Sequence, residues 1–146
     1  MLFIFLLCLA SIAAFVLLRN MGAKKLFNVP WYYIVMSLDI GGAKGKMYSY
    51  NGVNGIPDAV FKHVLLPKVI VGELKGRVVH NGAIRSYEFA QIQLYIGMLK
   101  KKSIFGRVTG RLAYKHEVIL TPYNSRVFKE IIGMKKSALK VLNQFQ

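Results

Sequence analysis

Apolar and polar positions divide the chain into an uncharged N-terminal run, an aromatic connecting stretch and a long body of alternating and helical patterns. Met1 to Leu18 carries no charged residue. Coiled as a helix it extends about 27 Å at 1.5 Å per residue, close to the hydrocarbon thickness of a bilayer, and it predicts one transmembrane helix over residues 1–20. No basic stretch precedes the run, and the small-x-small triplet Ser11-Ile12-Ala13 lies inside it, so an uncleaved anchor fits better than a cleaved signal peptide. Arg19, Lys24 and Lys25 flank it on the C-terminal side. By the positive-inside rule this predicts a single-pass membrane protein whose C-terminal domain is cytoplasmic.

Residues 21–45 read as a juxtamembrane segment. Asn28 to Ile40 is aromatic and apolar, with Trp31, Tyr32 and Tyr33 suiting either an interfacial belt or the first element of the body. Gly41-Gly42-Ala43-Lys44-Gly45-Lys46 resembles a phosphate loop only superficially: Met47 stands where a Walker A motif needs Ser or Thr, and a turn is the better reading. From residue 46 the pattern becomes that of a single α/β domain. Met47 to Tyr50, an Asn51-Gly52 turn, a strand opened by Asp58 and a strand over Lys68 to Lys75 predict an antiparallel meander. A helix follows, with Ser86 as N-cap, Glu88 in its first turn and Lys100-Lys101-Lys102 at its C-terminal pole. Ile104 to Tyr114 and His116 to Leu120 predict two strands, and the segment from Pro122 an amphipathic helix packed on the sheet.

Charge changes the picture. The chain has 21 Lys and Arg against 6 Asp and Glu, a net charge of +15, and such a surface attracts polyanions, whether nucleic acid or an anionic membrane. The single cysteine, Cys8, excludes an intramolecular disulfide and a cysteine-held zinc or iron–sulfur centre. Two of the six acids, Asp58 and Glu73, stand with Lys75 in stretches that otherwise read as buried strand, where charges are rare without a reason. Consecutive strands joined by a short turn bring residues fifteen apart side by side, and Glu73 and Lys75 share a face. One carboxylate from each strand with an ammonium beside them is a set suited to Mg²⁺ or Mn²⁺ with water positions left open.

Pro57-Asp58 followed by Glu73-Leu74-Lys75 resembles the PD-(D/E)xK signature of the restriction-endonuclease-like nuclease superfamily. Gln91-Ile92-Gln93-Leu94-Tyr95, downstream in the expected order, is similar to the QxxxY helix motif of the RecB-like branch that includes CRISPR-adaptation exonucleases. The resemblance covers roughly residues 46 to 142. It implies a restriction-endonuclease-like core, a mixed central sheet flanked by helices, occupying residues 46–146. It implies that Asp58 and Glu73 bind Mg²⁺ or Mn²⁺, that Lys75 handles the attacking water, and that Gln91 and Tyr95 orient the substrate strand or the lysine. Arg77, Arg85, Arg107 and Arg111 become candidate DNA contacts, with His80 in the same loop as the first two. Two departures stand out: the cysteines of the iron–sulfur relatives are missing, and upstream of Asp58 the sequence offers Asp39 in place of the family's Glu or His. The expected function is a membrane-anchored nuclease, endo- or exonucleolytic, acting on single- or double-stranded DNA. The alternative is a non-catalytic anchored protein of the same fold that binds nucleic acid or belongs to an envelope complex.

Overall fold

The structure, a computed structural model, describes residues 2–18, 20–79, 82–102 and 106–143, without the side chains of 2–3, 16–17 and 136–143. The N-terminal run forms helix α1, Leu2–Leu18, and Asn20 in the left-handed region (φ 60°) separates it from the short helix α2, Met21–Leu26. At 17 residues α1 is about 25 Å long, short of the ~30 Å hydrocarbon core. Among the described residues no helix is long and apolar enough to cross a membrane. This overturns the expected transmembrane anchor ahead of the core and, with it, the single-pass topology with a cytoplasmic body. Of the cations invoked for orientation, Lys24 is buried, its Nζ donating to the Trp31 carbonyl at 2.9 Å, and Arg19 lies outside the described residues.

Beyond α2 the chain is mixed α/β. Strand β1, Tyr33–Leu38, pairs antiparallel with β4, Ala59–His63, and β4 pairs antiparallel with β5, Lys68–Leu74. Helix α3, Ser86–Lys102, carries the chain to β6, Arg107–Ala113, which is parallel to β5; β7, Val118–Thr121, closes the five-stranded sheet antiparallel to β6. Of the aromatic stretch before residue 40, Tyr33 to Leu38 is therefore a sheet strand, while Trp31 and Tyr32 stand exposed in the turn that precedes it. The expected meander is also redrawn: β2, Tyr48–Tyr50, and β3, Val53–Gly55, form a separate hairpin, and β1 takes their place beside β4.

Alternation along β4, β5 and β6 sends residues to two cores. Val60, Val71, Val108 and Leu112 meet Ile92, Ile96 and Met98 of α3 on one face; Phe61, Ile70 and Ala113 meet Phe27 and Val29 on the other. Helix α4, Ser125–Asn143, packs on α3 where the sequence predicts a helix on the sheet. Its start is capped by Asn124, whose Oδ1 accepts from the amides of Arg126 and Val127 at 3.1 and 3.2 Å. Buried Gln93 of α3 fixes the approach, donating to the Pro122 carbonyl and accepting from the Asn124 amide, each at 2.7 Å. The two helices close to contact at Gly97, where a Cβ would run into the Phe128 ring. Gly97→Ala gains about 1 kcal/mol of helix propensity but overpacks this contact by about 1–3 kcal/mol. The expected net loss is about 1 kcal/mol, read as a lower denaturant midpoint at unchanged slope.

Candidate active site

Three acids end up at the same level of three neighbouring strands. The β4–β5 register pairs Ala59 with Gly72, so one step further Asp58 stands opposite Glu73. The β1–β4 register pairs Leu38 with Ala59, and one step further the Asp39 amide donates to the Asp58 carbonyl at 2.7 Å. Asp58 is fixed by the Leu74 amide, which donates to its Oδ2 at 2.6 Å. The fifteen-residue spacing thus has the consequence expected of it.

Lys75 follows β5 and is anchored to β6 by its amide, which donates to the Ala113 carbonyl at 2.8 Å. Its Nζ donates to Glu73 Oε1 at 3.1 Å and to Gln91 Oε1 at 2.7 Å. The Gln91 Nε2 donates to the same Glu73 oxygen at 2.6 Å and to the Tyr95 hydroxyl at 3.3 Å. An ammonium only donates and a carboxylate only accepts, so the amide can face its two neighbours in one orientation. Gln91 is in this way the clasp between Lys75 and Glu73. Tyr95, one helical turn on, sits where Gly55 of the hairpin has no side chain, since a Cβ there would overlap its ring. Glu73, Lys75, Gln91 and Tyr95 are therefore one hydrogen-bonded cluster, with Asp58 opposite Glu73 across the β4–β5 pair.

Its electrostatics favour a bound cation. Burial raises the Glu73 carboxyl above its ordinary value, and the charge of Asp58 raises it further, against the opposing pull of Lys75. Burial likewise raises Asp58, with Asp39 adding to it while the Leu74 amide and Lys75 pull the other way. Glu73 Oε2 is buried and has no hydrogen-bond partner. Crowded carboxylates with an orphaned buried oxygen are what a divalent cation relieves, so Asp58 and Glu73 fit such an ion. Among the described residues no three His, Cys, Asp or Glu side chains converge as a ligand set. Asp58, Asp39, Lys75 and Lys115 open onto a cleft of about 410 Å³.

A raised carboxyl favours its neutral form in the folded state, so stability falls as pH rises from the ordinary value of 4.5 through the folded one. Glu73→Gln, which keeps an acceptor for Lys75 and Gln91, is expected to melt higher than the parent at pH 7 in EDTA. The gap closes below about pH 4, where both side chains are neutral. An equal or lower melting temperature at pH 7 contradicts the strain assigned to Glu73.

The four arginines are placed elsewhere. Arg77 grips Glu88 with two hydrogen bonds, Nε to Oε1 at 2.8 Å and NH2 to Oε2 at 2.5 Å, donates to the Ala83 carbonyl at 3.1 Å, and stacks over the Tyr114 ring. The Tyr114 hydroxyl and the Arg85 amide also donate to Glu88, at 2.9 and 3.1 Å. Glu88 at the third helical position thus closes half of a capping box on Arg85, one residue before the expected cap Ser86. The Arg85 side chain lies on the surface beside the Tyr87 hydroxyl. Gly110 faces Ile92 and Ile96 of α3, so its neighbours on β6 point away: Arg107 and Arg111 line a shallow hollow with Tyr33 and Lys68 on the opposite face of the sheet. His80 lies outside the described residues. Two contributors were missed in the sequence reading. Lys115 reaches the cleft through a turn with no local signature, and Glu88, read as a helix-dipole acid, is the centre of a buried network.

No family model matches the chain, and no curated protein matches it. Among solved structures the chain is similar to one described as "Crystal structure of SSO0001", at 16% identity and a TM-score of 0.45, over 91% of this chain. The chain spans 59% of that neighbour's length.

Proposed function

We propose that the chain is a metal-dependent nuclease of the PD-(D/E)xK type that hydrolyses phosphodiester bonds of DNA. The observation that carries this reading is the hydrogen-bonded cluster of Glu73, Lys75 and Gln91, with Asp58 opposite Glu73 in the β4–β5 register and a buried, unpartnered oxygen on Glu73. Asp58 and Glu73 are the residues that would hold Mg²⁺ or Mn²⁺, whose chemistry when bound is to acidify water and to stabilise charge on an attacked phosphate.

The side chains have separate tasks. Lys75, one of the residues lining the cleft, supplies the donor for a phosphate oxygen or the attacking water. Gln91 holds that Nζ against Glu73, so the donor is oriented before substrate arrives, and Tyr95 holds Gln91. Gln91 and Tyr95 are on this view positioning residues. A net charge of +15 supplies salt-sensitive attraction to the sugar–phosphate backbone.

Incubating the full chain with end-labelled single- and double-stranded DNA in Mg²⁺ or Mn²⁺, and in EDTA, tests the proposal. Fragments that form only with metal support it. DNA bound but left whole under either metal overturns it in favour of a non-catalytic nucleic-acid-binding protein, the reading favoured by Asp39 standing where relatives carry Glu or His.

A further inference from the structure

A second cavity lies away from the acid cluster. It holds about 620 Å³ where the hairpin, the C-terminal end of α3 and the first turns of α4 meet. Aromatic and cationic side chains dominate its lining, with Asn51, Ser125 and Ile132 beside them. Tyr50, Tyr123 and Phe128 give it aromatic walls, with ring centroids of Tyr50 and Phe128 5.4 Å apart and those of Tyr123 and Phe128 6.2 Å apart. Lys100, Lys101 and Lys129 give it cations, with Lys100 Nζ 4.8 Å above the Tyr123 ring. No carboxylate is among the described residues that line it.

Aromatic faces next to unneutralised lysines form the pairing that flexible nucleic-acid strands need: bases to stack, phosphates to neutralise. Duplex DNA hides its base faces in the stack and has no use for the aromatic part. An anionic surface without bases has none either. The position is informative too, because one helix carries both features. Lys100 is nine residues beyond Gln91 on α3, about 13.5 Å along the axis. This is about four steps of a strand stacked at ~3.4 Å per nucleotide. The hairpin spans the same interval, with Gly55 against Tyr95 and Tyr50 in the cavity wall.

We propose that this cavity binds a single-stranded polynucleotide, stacking a base on Tyr50 and Tyr123 and placing phosphates on Lys100, Lys101 and Lys129. Resting on the nuclease reading, it further holds the strand so that the bond about four nucleotides away lies at the Glu73–Lys75 cluster. Substrate on this account has an unpaired segment next to the cut.

The test measures anisotropy of a labelled single strand bound by the full chain in EDTA, across a salt series. The parent is compared with Lys100→Gln, Lys129→Gln and Tyr123→Ser, and the normal strand with one of abasic sugar–phosphate. Each lysine variant is expected to reduce the slope of log affinity against log salt by about 0.7. Loss of stacking, by Tyr123→Ser or by the abasic strand, is expected to weaken binding about tenfold. The abasic comparison uses the unaltered protein, so a folding defect in Tyr123→Ser cannot imitate the result. Equal binding of normal and abasic strands, or unchanged salt slopes in both lysine variants, overturns the proposal. The two readings fail separately: strand binding with this pattern but without metal-dependent cutting removes the nuclease alone, and metal-dependent cutting without the pattern removes the strand site alone.

Discussion

Lys75→Ala is expected to lower DNA hydrolysis by about a hundredfold to a thousandfold, the usual consequence of removing one preorganised donor from a reacting centre. The effect follows from how firmly the side chain is held. Its Nζ has Glu73 Oε1 on one side and Gln91 Oε1 on the other, so its position is set before substrate binds. Truncation also leaves Glu73 and Asp58 facing each other without the opposing charge that now lowers both. Both carboxyls should rise further, and any residual activity should shift to higher pH, because more base is then needed to ionise the pair. Gln91→Ala provides the graded comparison. It keeps the ammonium but frees it, and a loss of about tenfold, smaller than that of Lys75→Ala, is expected in kcat with little change in KM. Equal losses in the two variants contradict the division between donor and clasp.

Glu88→Ala is expected to be strongly destabilising although the residue is no part of the apolar core. The carboxylate is 1% exposed and accepts from Arg77, Tyr114 and the Arg85 amide. Breaking a buried pair from one side leaves the other charge and its neighbours unpaired, at about 3–5 kcal/mol for full burial. Arg77 retains 25% side-chain exposure, so water recovers part of this and about 2–4 kcal/mol is the expected cost. Against a typical domain stability of about 5–15 kcal/mol this is a large fraction. The hydrogen bonds from Arg77 are the chief cause of a Glu88 carboxyl held down to about 2, against an ordinary 4.5. Between these values the unfolded chain binds the proton and the folded chain does not, so stability is full above pH 4.5 and falls as pH drops toward 2. Chemical denaturation from pH 5 down to pH 2 should show that loss in the parent and a flatter profile in Glu88→Gln.

Glu88 also bears on the active cluster through distance along the helix. It lies three residues before Gln91 and ties the first turn of α3 to the loop after β5 and to Tyr114 after β6. The same two strands carry Lys75. A loosened helix start therefore misplaces Gln91 relative to Lys75 even where the fold survives.

What could be read from the sequence follows the range of the physics. Asp58 and Glu73 were legible because a tight antiparallel connection makes sequence distance into spatial distance. Gln91 meeting Lys75 was not: sixteen residues and a loop separate them, and only likeness to a known motif order brought them together. The apolar run up to Leu18 was legible as a helix, but its reach as a membrane span turned on a boundary that hydropathy does not set. The stretch from Trp31 to Leu38 shows a general ambiguity, since an aromatic and apolar run satisfies an interface and an edge strand equally. Alternation put Arg107 and Arg111 on one face of β6, yet which face depends on the side that α3 covers. Arg77 looked like a phosphate contact because its partner Glu88 is eleven residues away across a loop. The aromatic and lysine cavity draws Tyr50, Lys100 and Tyr123 from three distant elements, so no local pattern announced it.

The most direct test of the central claim is a side-by-side cleavage assay of the parent chain and Glu73→Gln on the same labelled DNA, in Mn²⁺ and in EDTA, with melting temperatures taken on the same samples. The account predicts cutting by the parent in Mn²⁺ only, and no cutting by a variant that is as stable as the parent or more so. Cutting by folded Glu73→Gln at the parent's rate, or cutting by the parent in EDTA, would contradict it.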